Sequence, residues 1–258
     1  MFFLKNIIKG LSYDELCSLR MIKIHFWYIN WIKTIWFNFK ALPFKKAIKI
    51  PFVISYNTTI KNIGKIELSE EIHTGMISLG VSRVPGIDSN LNKIFFCNNG
   101  TLKIKGNLHI HSGVLILISD KATVELGERV KFGCKTRIIC RNSIVVGNDF
   151  RMSWEGQMFD TDFHFLYNIE KDTYYPRNKP IIIGDNVFVG NRCTIGKGTV
   201  IPSGSVISCV SKISGDFLDD GENLLLSGNP AKVIKKGVNM GNSWFLEREH
   251  EISKIFKE

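Results

Sequence analysis

From Ile183 onward the chain repeats a six-residue pattern without a break: IGDNVF, VGNRCT, IGKGTV, IPSGSV, ISCVSK. The first position is always a branched aliphatic (Ile183, Val189, Ile195, Ile201, Ile207), and the second is Gly, Gly, Gly, Pro, Ser. The fifth is small or β-branched: Val187, Cys193, Thr199, Ser205, Ser211. A helix repeats its apolar positions about every 3.6 residues and a half-buried strand every two, so period six fits neither. It fits a triangular coil with three short flat sides, one hexad to a side. The first position then points an aliphatic into a narrow interior. The fifth points inward near a corner and must be small, and glycine at the second tolerates the backbone conformations of corners.

The pattern reaches upstream with gaps. Leu126, Phe132, Ile138 and Ile144 are six apart, with Gly127 and Gly133 in second position, and a two-residue slip restarts the count at Val146-Gly147. Ile104, Ile110 and Ile116 continue it backwards, and Ile54, Ile60, Ile66 and Ile72 more weakly. Coils are therefore expected from near residue 52, with 75–100 an excursion or a distorted coil. Residues 1–50 read as mostly helical, placed to cap the open end of the stack, whose first coil otherwise exposes apolar surface and unpaired backbone. The expected organisation is a helical, basic-aromatic segment (1–50), a coil domain (51–236) with an ejected loop (151–180), and a tail (237–258). In the tail, Asn242 or Ser243 would cap a helix running to Phe256.

Composition sharpens two of these segments. The net charge is +10, and residues 1–50 hold nine Lys/Arg against Asp14 and Glu15. Phe26, Trp27, Tyr28, Trp31, Trp36, Phe37 and Phe39 lie among those cations. Such a mixture suits a membrane surface or an anionic lipid-linked ligand; equally, it suits a packing subdomain with a solvated basic face. No apolar run reaches the ~20 residues of a membrane span, and no signal peptide is expected. Six isolated cysteines without CxxC spacing read as reduced thiols of a cytoplasmic protein. Within the interruption between Phe150 and Ile183, where function is commonly carried, lies the run Asp160-Thr161-Asp162-Phe163-His164.

That run, the hexads after it and Gly228-Asn229-Pro230-Ala231-Lys232-Val233-Ile234-Lys235 resemble the hexapeptide-repeat O-acetyltransferases, most nearly those that acetylate capsule or lipopolysaccharide sugars. The resemblance is strong over about residues 125–236. It implies an all-β solenoid, a left-handed parallel β-helix, and transfer of acetyl from acetyl-CoA with no metal and no covalent enzyme intermediate. The family's loop histidine maps onto His164, the expected general base, with Asp162 or Asp160 orienting its imidazole. Cofactor contacts carry over to Phe188, Asn191, Arg192, Ser208 and Cys209, and to Lys232 and Lys235 for the phosphates. The family's Thr-Lys after the last hexad is Ser214-Gly215 here, and Lys212 stands in as the replacement. The expected partners are acetyl-CoA, a carbohydrate acceptor and further copies in a homotrimer, with no nucleic acid. The expected location is cytoplasmic, with peripheral contact at the inner membrane face.

Three other readings compete. N-acylation of a nucleotide-linked amino sugar fits the same fold, but that subgroup often carries an α/β domain ahead of the coils, and residues 1–50 show no GxGxxG. A zinc enzyme on this fold needs three ligating histidines; His109 and His111 flank Ile110, while His164 is distant. His25, His73, His109, His111 and His250 otherwise read as structural or surface residues. A non-catalytic scaffold is permitted by fold alone, but it has no need of the histidine loop.

Overall fold

The computed structural model describes residues 11–81 and 92–241. The chain winds into a left-handed parallel β-helix whose three faces are parallel sheets. Sheet A stacks β1 (Phe52–Ile54), β4 (Ile77–Leu79), β7 (Leu108–Ile110), β10 (Val130–Phe132), β13 (Arg151–Met152), β18 (Phe188–Val189), β21 (Val206–Ile207) and β23 (Leu224–Gly228). An antiparallel last strand, β24 (Ala231–Lys236), closes that sheet. Sheet B stacks β2 (Thr58–Asn62), β5 (Ile94–Asn98), β8 (Leu115–Ile118), β11 (Arg137–Cys140), β14 (Gln157–Phe159), β19 (Thr194–Ile195) and β22 (Lys212–Ile213). Sheet C stacks β3 (Lys65–Leu68), β6 (Thr101–Ile104), β9 (Thr123–Leu126), β12 (Ser143–Val146), β17 (Ile181–Ile183) and β20 (Val200–Ile201).

The hexad is the side of the triangle, and its first and fifth residues fill the core. Ile183, Val189, Ile195, Ile201 and Ile207 are buried, as are Val187, Cys193, Thr199, Ser205 and Ser211. Where hexads are unbroken, Ile182 pairs with Val200 one coil on, a step of eighteen residues. Upstream, Lys131 pairs with Arg151 after twenty, and Leu108 with Val130 after twenty-two. The extra residues lie in four-residue strands that bury two side chains each, such as Val124 and Leu126 in β9 and Ile144 and Val146 in β12. The two-residue slip after Ile144 is thus a face widened by one inward residue. The segment 75–100 is not an excursion where it is described: β4 pairs in register with β1 and β7, and β5 with β8, while the pairing of β5 with β2 shifts register between Ile60 and Asn62, a local distortion of the coil.

The corners divide their labour differently from the expectation. The left-handed backbone falls on the fourth position, not the second: Asn186, Arg192, Gly198, Gly204 and Val210 all have positive φ, as do Arg129, Lys135, Asp149 and Glu155 upstream. Five of the second-position glycines are required by proximity, while Gly196 has room for a Cβ. A Cβ on Gly127, Gly133, Gly147, Gly184 or Gly190 would lie 2.5–2.7 Å from backbone atoms of the next coil. At the fifth position the hydroxyls also work across the corner: Thr136, Thr199 and Ser205 donate to the carbonyls of Gly133, Gly196 and Pro202 at 2.7–2.8 Å.

Before the coils come α1 (Tyr13–His25), α2 (Trp31–Ala41) and α3 (Phe44–Ala47). They meet the open end of the stack with polar groups matched to its orphan backbone. The buried Asn38 accepts from Phe52 N–H at 3.0 Å and donates to the Phe52 carbonyl at 2.9 Å. Thr34 Oγ1 accepts from Ile54 N–H at 3.0 Å, and Asn30 N–H donates to the Ile54 carbonyl at 2.8 Å. Lys33 donates to the Thr58 and Tyr56 carbonyls beside β2, and Lys46 to the Leu68 and Ser69 carbonyls at the end of β3. Phe37 covers the core between them, its ring 4.9 Å from that of Phe52 and 5.9 Å from that of Phe96. The expected helix from Asn242 or Ser243 to Phe256 lies outside the described residues.

This cap is testable. Asn38→Ala strands a buried donor and a buried acceptor of β1, and the expected loss is about 2–3 kcal/mol of unfolding free energy, read by urea denaturation. Wild-type stability in that variant would show that the cap does not hold the first coil.

Candidate active site

The chain leaves the prism once among its described coils, at the corner between sheets B and C. Hexads persist further than their sequence indicates, because β13 and β14 pair in register with the strands before them. The ejected loop therefore begins after Phe159, not at Arg151. Beyond it the two limbs of an arm pair with each other. Lys179 N–H donates to the Asp160 carbonyl and Asp162 N–H to the Arg177 carbonyl, both at 3.0 Å. Further out, β15 (Tyr167–Asn168) and β16 (Thr173–Tyr174) form an antiparallel hairpin.

Two groups fix the root of this arm. Asp160 is fully buried, and its carboxylate accepts from the backbone N–H of Arg141 and of Asn142, each at 2.7 Å. The Cys140 thiol donates to it at 3.3 Å and stays protonated, its pKa driven upward by burial and by the Asp160 charge. Asp160 is thus engaged by the coil beneath and is not turned toward an imidazole. Asp162 is paired with the ammonium of Lys197, which also donates to the Pro176 carbonyl at 2.5 Å. One largely buried lysine of the next coil therefore clamps both limbs.

His164 stands just past this clamp, with an exposed side chain. Its N–H donates to the Asp162 carbonyl at 2.7 Å across Phe163, whose φ is +63°. A γ-turn with positive φ is the less favourable hand, and such local strain collects at functional sites. Aromatic and cationic neighbours hold the turn. Phe163 lies 5.7 Å from the Phe159 ring with the Arg141 guanidinium 5.8 Å from its centroid, and Arg177 sits 4.7 Å from the Phe165 centroid. The imidazole is thus presented outward on a braced turn.

The residues assigned to a cofactor lie elsewhere. Asn191, Arg192, Ser208 and Cys209 stack on the corner between sheets A and B, where Val210 N–H donates to the Asn191 carbonyl at 2.9 Å. Arg192 and Val210 hold positive φ there, which for a β-branched valine is a true outlier. Arg192 is joined to Glu155 at 2.7 Å, a link that raises the arginine pKa and lowers that of the glutamate. Phe188 is half-buried on sheet A, and Lys212 is exposed on sheet B. Ser214 follows at the B–C corner, and Lys232 and Lys235 are exposed on β24. Sheet B therefore separates the His164 edge from the Asn191–Cys209 edge within one chain.

Sequence reasoning missed Lys197 and the Trp154–Glu155 step beside Arg192. Lys197 occupies an outward hexad position where any solvated lysine would look the same. Trp154 is exposed on the A–B corner, and its carbonyl accepts from Arg192 N–H at 3.0 Å. His109 lies with its Nδ1 2.9 Å from Ser78 Oγ, and burial, then Lys131, His111 and Arg151, push its pKa down to about 3. Among the described residues, no group of three or more His, Cys, Asp or Glu is placed to hold a metal ion.

No family model matches the chain. A Klebsiella pneumoniae protein described as an uncharacterized 24.8 kDa protein in the cps region is 34% identical over 203 residues, covering 78% of this chain and 86% of that protein. The crystal structure of the polySia-specific acetyltransferase NeuO shares the fold with a TM-score of 0.50 at 19% identity, covering 77% of this chain and 99% of that one. AntD, an N-acyltransferase from Bacillus cereus, aligns with a TM-score of 0.45 at 15% identity over 84% of this chain and 98% of its own.

The clamp has a local signature. Lys197→Ala is expected to speed amide exchange at Asp162 and Tyr175 about tenfold or more, with the coils melting nearly as before. Unchanged exchange in the arm would remove Lys197 as its fastener.

Proposed function

We propose that the chain is a hexapeptide-repeat acyltransferase, an acetyl-CoA-dependent O-acetyltransferase acting on a sugar hydroxyl of a capsule or lipopolysaccharide glycan or its precursor; the fold it shares with an acetyltransferase supports this reading. The observation that carries this reading is the presentation of His164: exposed, on a strained turn, on an arm fixed by Asp160 and Lys197. The relative's place in a capsule (cps) region supports the glycan acceptor.

In the proposed reaction the acceptor oxygen attacks the thioester carbonyl while the imidazole of His164 takes the hydroxyl proton. A neutral histidine suits this role because its conjugate acid dissociates near neutral pH. Collapse of the tetrahedral intermediate breaks the C–S bond, and the proton held by His164 passes to the departing CoA sulfur. Corner N–H groups are the natural donors to the oxyanion. Asp160 and Asp162 act on the arm rather than on the ring, since the coil backbone and Lys197 occupy them. The cofactor would run along the A–B corner past Asn191, Arg192, Ser208 and Cys209, with Lys232, Lys235 and Lys212 offering cations to its phosphates.

Because sheet B separates base and cradle in one chain, we place the reaction between copies. The arm of one protomer faces the A–B corner of the next in a trimer. Phe188 packs on the cradle side of that junction, and Ser214 lies at the arm side.

Replacing His164 by Ala is expected to reduce CoA release with sugar acceptors by ~10²–10⁴ while the assembly stays intact. Near-normal turnover in that variant would remove His164 from the mechanism.

A further inference from the structure

The helical cap has a second face. In α2, Thr34, Phe37 and Asn38 turn toward the first coil, while Ile32, Ile35, Trp36 and Phe39 are exposed on the opposite side at i, i+3, i+4 and i+7. The exposed Phe44 continues this stripe, its ring 5.9 Å from that of Phe39, and Ile48 follows it. Ile32 and Trp27 each leave 85% of their surface in water, and Phe44 leaves 68%. A contiguous apolar face of this kind marks an interaction surface.

Its charge says what covers it. No Asp or Glu occurs between Glu15 and Glu67, a span that holds Arg20, Lys23, Lys33, Lys40, Lys45, Lys46, Lys49, Lys61 and Lys65. Lys33 and Lys46 are spent on backbone carbonyls of the first coil, but Lys40, Lys45 and Lys49 are exposed beside the apolar stripe. A second copy laid on this face would set lysine against lysine. An anionic bilayer surface instead matches both features, taking the apolar stripe at the headgroup boundary and the lysines among the phosphates. Among the described residues no helix is long and apolar enough to cross a membrane, so this contact is with the surface.

We propose that the outer face of the cap, Ile32, Ile35, Trp36, Phe39, Phe44 and Ile48 with Lys40, Lys45 and Lys49, seats the protein on an anionic membrane. The stack then becomes a spacer. The arm leaves sheet B four rungs above β2, about 19 Å along the axis at the usual strand spacing. The seated protein holds its arm at that height plus the thickness of the cap, within reach of the sugars of a membrane-attached glycan. The seating itself rests on the cap alone and stands whether or not the acetyl-transfer reading holds.

The experiment is flotation of the full chain with vesicles of phosphatidylcholine alone or with about a quarter phosphatidylglycerol. The expected result is salt-sensitive binding to the anionic vesicles only. Each lysine at such a surface adds about fivefold, so the combined Lys40→Glu, Lys45→Glu and Lys49→Glu variant should bind at least about a hundredfold more weakly. Ile32→Ser with Trp36→Ser should also release the protein, both variants melting as wild type does. Absence of flotation with anionic vesicles, or wild-type flotation of the glutamate variant, would overturn the proposal. So would a concentration-dependent doubling of mass that Ile32→Ser with Trp36→Ser abolishes, since a second copy would then occupy the face.

Discussion

Close approach of backbone to backbone at the corners that carry Gly127, Gly133, Gly147, Gly184 and Gly190 is the constraint from which the rest of this structure follows. Second-position glycines let one coil settle onto the next where a Cβ would collide at 2.5–2.7 Å, and fourth-position residues turn the chain through the left-handed region. With both conditions met, each hexad drops one branched side chain into the core, and the strands of neighbouring coils hydrogen-bond without bulges from β6 to β22. The result is a stiff prism whose outward positions are free to vary. Function then resides in what is attached to the edges and ends of the prism.

Two attachments use the same device. At the N-terminal end, Asn38, Thr34, Lys33 and Lys46 answer the open backbone of the first coil. At the root of the arm, Asp160 answers the N–H groups of Arg141 and Asn142. In both places a buried polar side chain fastens a non-repeating segment to a repeating one, and leaving such a group unpaired is strongly unfavourable. The arm therefore presents His164 from a fixed base, and the cap presents its outer face from another.

The core of this fold was legible because period six has one geometric solution. The inward roles of Ile183 through Ser211 follow from spacing alone, as does a start near residue 52. The corner chemistry was misread: Gly stands at the second position for space, while Arg192 and Val210 adopt the strained conformation without glycine. The start of the arm was misread too, because Met152 and Met158 continue the inward series in a segment whose second positions are Ser153 and Phe159 rather than Gly. The histidine loop was visible as a motif, but its carboxylates were not separable by sequence. Asp160 and Asp162 are two residues apart, and only the fold sends one into the coil and the other to Lys197. That His164 and the Asn191–Cys209 corner lie on different edges was equally invisible, since edge assignment depends on how many residues each coil spends.

On the proposed reading, His164 and the cofactor corner lie on two edges of one chain, and assembly becomes part of the chemistry. This dependence is tested most directly by mixing two impaired chains, one with His164→Ala and one with Cys209→Trp to fill the A–B cradle, then dissociating and reassembling them. Mixed trimers would contain junctions with an intact arm from one copy and an intact cradle from the other. Activity is expected to recover toward about a quarter of wild type, the fraction of such junctions under random assortment. Activity that stays at the average of the two separate variants would contradict a shared site.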